Sequence, residues 1–218
     1  MEVKICGLTR VEEAEYLNEA AADYAGFVFF EKSRRNVTVE KAKEIMAALD
    51  KNIKKVGVTV SADAALAEKI QNAGFDILQV HDRLSTEVLE KVQIPIWYAV
   101  NIADEGALEE KMSFLQTLPG ELSKKIEAIV VDGAEYGSGR PFNWRKSKRL
   151  KKAGAQSPPQ IFSDRKFVLA GGLNASNVRE GIDGFSPDVV DVSSGVENEN
   201  GKDRKLINEF IRKAKGYE

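Results

Sequence analysis

The single cysteine of this 218-residue chain, Cys6, stands where a short apolar run gives way to Gly7-Leu8-Thr9-Arg10. That change is typical of a strand followed by a helix, and ligands of α/β proteins bind at that end of a strand. A thiol there is either a catalytic group or a small buried hydrophobic side chain. Lys4 falls on the same face of the predicted strand, and a nearby ammonium group lowers the pKa of a thiol. If that face turned outward, neither role would hold.

Two aspartates accompany other apolar runs. Asp132 follows the mostly apolar stretch 126–131 and precedes Gly133. A carboxyl group in an apolar cavity has a raised pKa, which suits a general acid, but an N-cap or a surface turn explains the residue equally well. Asp191 lies inside the apolar run 189–192, where a charge requires a hydrogen-bond partner or a polar site.

Short loops rich in glycine and serine follow the last two apolar runs. Gly171-Gly172 lets the backbone approach an anion closely, because glycine has no side chain in the way. A helix predicted to begin near Asn174 directs its N-terminus to the same place. Either loop alone is weak evidence, but after the seventh and eighth strands of a barrel the two predict a phosphate site. The predicted phosphate-binding residues are Gly171, Gly172, Ser193 and Ser194.

Further polar side chains near strand ends each have two interpretations. His81, the only histidine, either contacts a ligand or is a structural histidine, and Gln79 stands two residues before it. Arg34 and Arg35 follow the second run and are either solvated or a clamp for a carboxylate or phosphate. With one cysteine and one histidine, the sequence does not support a His/Cys metal site.

Eight short apolar runs recur along the chain without polar alternation, which is typical of strands buried on both faces of a parallel sheet. The predicted strands are Val3–Cys6, Tyr24–Phe29, Val56–Val60, Ile77–Val80, Pro95–Val100, Ala128–Val131, Phe167–Ala170 and Val189–Val192.

Helical patterns lie between these runs. The first opens at Thr9 with capping-box spacing, and Ser61 is the predicted N-cap of the third. The others cover Thr38–Leu49, Thr86–Val92, Leu108–Leu115, Trp144–Lys152, Asn177–Ile182 and Lys205–Lys215, with a longer loop over Lys152–Lys166. Eight strand-then-helix units predict a single-domain (β/α)8 TIM barrel over residues 1–218, with a doubly wound sheet as the competing architecture.

The composition argues against some classes of binding partner. Thirty-two Lys and Arg nearly balance 34 Asp and Glu, and a net charge of −2 argues against broad electrostatic binding of nucleic acid. One cysteine excludes an intrachain disulfide and suits a reducing compartment. Because a strand is predicted from residue 3 and no apolar run is long enough to span a bilayer, we expect no signal peptide, no membrane partner and a cytoplasmic location.

Several segments together form a specific, ordered pattern. They are Lys4–Arg10, Gly26–Phe29 with Ser33–Arg35, Val56–Val58, Leu78–His81, Val131–Asp132 with Tyr136–Gly139, Ala170–Leu173 and Val190–Glu197. In this order they resemble the phosphoribosylanthranilate isomerase family of tryptophan biosynthesis, over essentially the whole chain. The resemblance implies a TIM barrel that rearranges a phosphosugar substrate, N-(5-phosphoribosyl)anthranilate, into 1-(2-carboxyphenylamino)-1-deoxyribulose 5-phosphate without a metal or an organic cofactor.

The resemblance also implies a role for each matching residue. Cys6 matches the general base and Asp132 the general acid of this Amadori rearrangement. Arg35 matches the residue at the anthranilate end, and Asp191 would hold sugar hydroxyls. Gln79 and His81 match positions that line the pocket, and the two small-residue loops match the phosphate site.

Three positions depart from the family's usual pattern. Asp82 stands where the family commonly has glycine, Asn143 where it often has aspartate, and Thr59 where it more often has an aromatic residue. None of them is the proposed acid or base.

Three alternatives stay open. A related phosphosugar isomerase, such as that of histidine biosynthesis, would use paired aspartates and show an internal half-repeat, whereas the first strand here ends in Cys6. A barrel that only binds phosphate would lack the acid or the base. An enzyme with a covalent thiol adduct would trap substrate on Cys6. As for assembly, we expect a monomer or a homodimer.

Overall fold

The computed structural model describes residues 1–101, 105–132 and 164–216. Eight parallel strands pair in chain order, and the last pairs with the first, so that the sheet closes into a barrel. The strands are β1 (Glu2–Cys6), β2 (Tyr24–Phe29), β3 (Lys54–Thr59), β4 (Ile77–Val80), β5 (Ile96–Asn101), β6 (Ile126–Asp132), β7 (Lys166–Leu169) and β8 (Val189–Val192). The predicted (β/α)8 barrel is therefore confirmed.

Helices follow the strands wherever the structure describes the connecting segment, which excludes the one after β6. They are α1 (Glu12–Ala20), α2 (Val39–Met46), α3 (Ala64–Asn72), α4 (Thr86–Lys91), α5 (Glu105–Thr117), α6 (Gly120–Ser123), α7 (Val178–Phe185) and α8 (Arg204–Lys215). After β8 the chain forms a 3₁₀ turn and then a small antiparallel hairpin of β9 (Glu197–Asn198) and β10 (Gly201–Lys202).

Side chains of the strands alternate between two apolar layers. Val3 and Ile5 of β1 belong to the layer between the barrel and its helices. Cys6 belongs to the layer inside the barrel, together with Tyr24 and Trp97, whose rings pack edge to face with centroids 4.8 Å apart. Because both faces of the sheet are covered, the strands need apolar residues at almost every position, which explains the continuous runs in the sequence.

Two helices begin later than the sequence predicted. Asp63, and not Ser61, is the N-cap of α3, because its carboxylate accepts a hydrogen bond from the backbone N–H of Leu66 at 2.7 Å. The helix after β7 begins at Val178, one residue after the start predicted by the pattern Asn177–Ile182. Its N-terminus does not lie near Asn174, as the phosphate-site argument expected, since a hydrogen-bonded turn comes first.

The predicted capping box of α1 is also wrong. The helix begins at Glu12 without a side-chain cap. Instead, the buried Glu13 carboxylate accepts hydrogen bonds from the backbone N–H groups of Thr9 and Arg10, at 2.7 and 3.2 Å. Glu13 thus takes the acceptor role that the capping box assigned to Glu12, one residue earlier, and it fastens the loop after Cys6 to the helix.

Some predicted features lie outside the described residues: the helix Trp144–Lys152, the segment Tyr136–Gly139 and most of the loop Lys152–Lys166. Within the described ranges, no helix has both the length and the apolar character needed to cross a membrane.

The N-cap of α8 gives a stability prediction. Asp203 accepts hydrogen bonds from the N–H groups of Leu206 and Lys205, at 3.0 and 2.8 Å, and these hold the pKa of its carboxyl below the ordinary value. Asp203→Ala should lower the free energy of unfolding by about 1 kcal/mol in urea denaturation at pH 7.

The lowered pKa means that the charged form of Asp203 stabilises the folded state. The difference in stability between wild type and variant should therefore shrink as the pH falls through the pKa of folded Asp203. Glu209→Ala, at an exposed position of the same helix, is the matched control. An equal loss of stability in the control would contradict the role of the cap.

Candidate active site

A cavity of about 440 Å³ opens at the carboxyl ends of the strands. Its wall contains all ten residues that the sequence singled out, brought together from positions scattered over almost the whole chain. They are Cys6, Arg35, Gln79, His81, Asp132, Gly171, Gly172, Asp191, Ser193 and Ser194.

A buried ion pair lies beneath Cys6. Lys4 has no exposed surface, and its Nζ donates a hydrogen bond to Asp191 Oδ2 at 2.7 Å. The two residues stand opposite each other in the register of β1 and β8. The shared face of Lys4 and Cys6 therefore points into the barrel. Within the part of the chain that the structure describes, Asp191 Oδ1 has no hydrogen-bond partner.

The thiol pKa depends on opposing effects. Burial raises the pKa of Cys6 above its ordinary value, the Lys4 ammonium lowers it, and the Asp191 carboxylate raises it again. The net direction is upward, so the expected lowering by Lys4 is present but is outweighed by burial. Burial alone would lower the pKa of Lys4, but Asp191 and Cys6 reverse this, and Lys4 stays protonated.

Two glycines leave space for the side chains of Cys6 and Arg35. A Cβ atom on Gly26 would lie 2.8 Å from Cys6 Sγ. Gly7 has a φ of +86°, and a Cβ there would lie 2.4 Å from Arg35 Cδ. A side chain at Gly26 or Gly7 would therefore force Cys6 or Arg35 to shift.

The predicted phosphate loops are adjacent and expose backbone donors. Gly171 and Gly172 have φ values of +88° and +66°. Across the described residues, their N–H groups donate no hydrogen bond to another backbone group. Ser193 is engaged differently from the prediction, since its hydroxyl donates to the carbonyl of Cys6 at 2.8 Å. Its hydroxyl therefore supports the end of β1.

Arg35 is nearly buried and is held by a residue to which the sequence analysis gave no role. Its Nε and Nη2 donate to the two carboxylate oxygens of Glu197, both at 2.7 Å. Arg34 also reaches Glu197, at 2.6 Å, and Lys202 Nζ donates to it at 2.5 Å. Burial alone would raise the pKa of Glu197, but Arg35 and Lys202 lower it to about 2.

Lys202 is the second site residue that the sequence analysis missed. Its side chain is fully buried, and it faces Glu197 across the β9–β10 hairpin. The sequence carried only part of the signal: Asn200-Gly201 predicts a hairpin. With those two residues at the turn, residue 202 would pair with 199, whereas the turn residues in the structure are Glu199-Asn200 and Lys202 pairs with Glu197.

Gln79 in β4 and His81 just after it lie side by side, across the barrel from β8. Gln79 Nε2 and His81 Nε2 are 2.7 Å apart, so an uncharged imidazole accepts the amide hydrogen. Burial and the positive charges of Lys4 and Lys111 lower the pKa of His81 to about 3. Among the described residues, Gln79 Oε1 has no hydrogen-bond partner.

Asp132 ends β6 and is half-buried in the cavity wall. In the circular order of the strands, β6 lies three places from β1. The carboxyl of Asp132 and the thiol of Cys6 therefore approach the cavity from different sides. The described residues contain no group of three or more His, Cys, Asp or Glu side chains that could hold a metal ion.

Comparison with known proteins gives consistent matches. The family described as N-(5′phosphoribosyl)anthranilate (PRA) isomerase matches residues 3–213. The N-(5′-phosphoribosyl)anthranilate isomerase of Thermoanaerobacter pseudethanolicus is 40% identical over 222 residues, which cover 99% of this chain and 98% of that protein. The enzyme of Streptococcus gordonii is 39% identical over 214 residues, covering 98% and 97%.

Solved structures agree. The phosphoribosyl anthranilate isomerase of Thermotoga maritima has a TM-score of 0.78 and 33% identity, with 99% of each chain covered. A phosphoribosyl anthranilate isomerase in complex with reduced 1-(o-carboxyphenylamino)-1-deoxyribulose 5-phosphate has a TM-score of 0.77 and 31% identity, again with 99% of each chain covered. On this evidence, the chain belongs to the N-(5′-phosphoribosyl)anthranilate isomerase family.

Proposed function

We propose that this chain catalyses the Amadori rearrangement of N-(5-phosphoribosyl)anthranilate to 1-(2-carboxyphenylamino)-1-deoxyribulose 5-phosphate in tryptophan biosynthesis. The observation that carries the proposal is a single cavity lined by a thiol, a carboxyl group, an arginine and two small-residue loops. Membership of the isomerase family supports the same reaction. A structural relative binds the reduced product, which supports a phosphosugar ligand.

The reaction needs one acid and one base. Asp132, protonated, donates its proton to the furanose ring oxygen, so that the C1–O bond breaks and a Schiff base forms at C1. Cys6, as the thiolate, then removes the proton from C2, and the electron pair moves to give an enolamine. Tautomerisation of the enolamine yields the ketone. The position of Cys6 and Asp132 on non-adjacent strands supports attack from two sides of the sugar.

The strand order supports one orientation of the substrate. β1 lies between β8 on one side and β2 on the other. We place the phosphate at Gly171, Gly172, Ser193 and Ser194, and the anthranilate carboxylate at Arg35 beyond β2. The sugar then lies over Cys6. The unpartnered oxygens of Asp191 and Gln79 are suited to accept hydrogen bonds from its hydroxyls.

In this mechanism, Lys4 stabilises the thiolate form of Cys6. Burial disfavours the charged thiol, and the buried Lys4 ammonium counteracts it. Asp191 keeps Lys4 protonated and close to β1. A substrate that excludes water strengthens the attraction between ammonium and thiolate.

Three further features stay predictions. We propose that residues 1–218 form one catalytic domain, that the chain is a monomer or a homodimer, and that it works in the cytoplasm. Both assembly forms are described for the Thermotoga maritima relative, as a dimeric enzyme and as monomers generated from it.

The first test follows anthranilate fluorescence as freshly made phosphoribosylanthranilate is consumed. Wild type should turn over without an added cofactor, and Cys6→Ala and Asp132→Asn should each lose at least about 100-fold in kcat, the usual contribution of general acid–base catalysis. Far-UV circular dichroism checks that both variants are folded.

Asp82→Asn is the matched control, because Asp82 is an exposed aspartate two residues after β4, outside the cavity wall. Its turnover should equal that of wild type. No turnover by wild type would contradict the proposed reaction, and turnover retained by Cys6→Ala would exclude the thiol as the base.

A second test measures the effect of Lys4 on the thiol. Cys6 is the only cysteine, so alkylation by iodoacetamide reports its thiolate without background. Lys4→Met should raise the thiol pKa and slow alkylation at pH 8 about tenfold for each unit of pKa change. Lys69→Met, at an exposed position on α3, should have no effect.

The variant Lys4→Met leaves Asp191 buried without its cation and is expected to be less stable. The double variant Lys4→Met/Asp191→Asn removes that problem and should still react more slowly than wild type, because the effect of Lys4 on the thiol exceeds that of Asp191. Unchanged alkylation rates in both variants would contradict the role of Lys4.

A further inference from the structure

We propose that Glu197, held by Lys202, is a positioning residue that aims Arg35 at the carboxylate of the substrate. This inference rests on the function proposed above. It assigns roles to two residues of the loop after β8, to explain how an arginine from the loop after β2 is fixed at the cavity.

The contact between Glu197 and Arg35 leaves a defined edge of the guanidinium group available. The carboxylate occupies Nε and one hydrogen of Nη2, which form the side edge. Among the described residues, Nη1 makes no hydrogen bond to another group. Nη1 and the second Nη2 hydrogen form the end edge of the fork, which matches a carboxylate with two parallel hydrogen bonds. Since Arg35 lines the cavity, that edge is where a ligand carboxylate binds.

The charge of the cluster favours an anionic ligand. Three cations, Arg34, Arg35 and Lys202, contact the single carboxylate of Glu197. The cluster therefore keeps two positive charges. A stabilising network alone would need no such excess, whereas a site for an anion does.

Lys202 links this cluster to β1, the strand that carries Cys6. Besides Glu197, its Nζ donates to the backbone carbonyl of Ser193 at 3.0 Å. The hydroxyl of Ser193 in turn donates to the carbonyl of Cys6. The backbone N–H of Lys202 donates to Glu13, which also fixes the loop after β1. Arg35 and Cys6 are thus held in one frame by the hairpin.

The aliphatic part of Arg35 is fixed as well. A Cβ on Gly7 would lie 2.4 Å from Arg35 Cδ, so the side chain lies directly against the backbone that follows Cys6. With Gly7 on one side and Glu197 on the other, the guanidinium group has little freedom to turn. Losing Glu197 should therefore affect its direction first.

The test is calorimetric binding of two probes. One is reduced 1-(o-carboxyphenylamino)-1-deoxyribulose 5-phosphate, and the other is the same compound without the ring carboxylate. Glu197→Gln should weaken the first about tenfold, the usual order for a misaligned hydrogen bond to a charged group, and leave the second unchanged. Arg35→Ala should weaken the first at least as much, and the double variant should bind it no more weakly than Arg35→Ala alone.

Glu197→Asp is the second variant, because it keeps the charge beside Lys202 but is too short to hold both nitrogens of Arg35. It should show the same selective loss if Glu197→Gln does not fold. Glu199→Gln, exposed in the same hairpin, is the matched control and should bind both probes like wild type.

Two results would overturn the proposal: equal weakening of both probes by the Glu197 variants, or additive losses in the double variant. Because binding is measured without turnover, the result is separate from the proposed reaction. A wild type that binds selectively but does not turn over phosphoribosylanthranilate would contradict the reaction and leave the role of Glu197 supported. A wild type that binds neither probe would contradict both.

Discussion

The ion pair between Lys4 and Asp191 sits at the one place where the barrel must close, between its first and last strands. With a fully buried ammonium and a carboxylate only 8% exposed, neither charge can be left alone. Removing one partner of such a pair costs about 3–5 kcal/mol, because the other charge stays buried. The same pair lies under Cys6 and leaves one carboxylate oxygen unpartnered among the described residues. Closure of the fold and preparation of the site therefore depend on the same two side chains.

The rest of the site repeats this arrangement of buried charge. Burial raises the thiol pKa of Cys6, and Lys4 and Lys202 act against it from two directions. Glu197 stays ionised because the cations around it outweigh the cost of burial. The carboxylates hold the cations in place, and the cations outnumber them on the side where an anionic substrate would bind. The cavity is thus organised before any ligand arrives, which lowers the entropic cost of binding.

The sequence predicted what depends on local pattern. Continuous apolar runs identified the eight strands of the barrel but not the hairpin strands β9 and β10, because only parallel strands covered on both faces require such runs. The motifs at strand ends identified residues of the cavity wall. Prediction from the sequence failed where a hydrogen-bond partner that is distant in the chain, or a competing one, decides the role of a residue. Ser61 lost its capping role to Asp63, whose carboxylate is the better-placed acceptor. Glu197 and Lys202 received no role because that role depends on the contact of Glu197 with Arg35, which is 162 residues away in sequence. The pKa of Cys6 is raised overall because burial has the largest effect, and the spacing of residues in the sequence does not reveal how deeply a side chain is buried.

The most direct test of the account is a crystal structure of this chain with reduced 1-(o-carboxyphenylamino)-1-deoxyribulose 5-phosphate bound. We predict the phosphate against the backbone N–H groups of Gly172 and Ser194, and C2 of the sugar about 3–3.5 Å from Cys6 Sγ, the separation of a reactive contact. The ring carboxylate should meet the free edge of Arg35. A ligand bound in the reverse direction, or with C2 remote from the thiol, would contradict the assignment of Cys6 as the base.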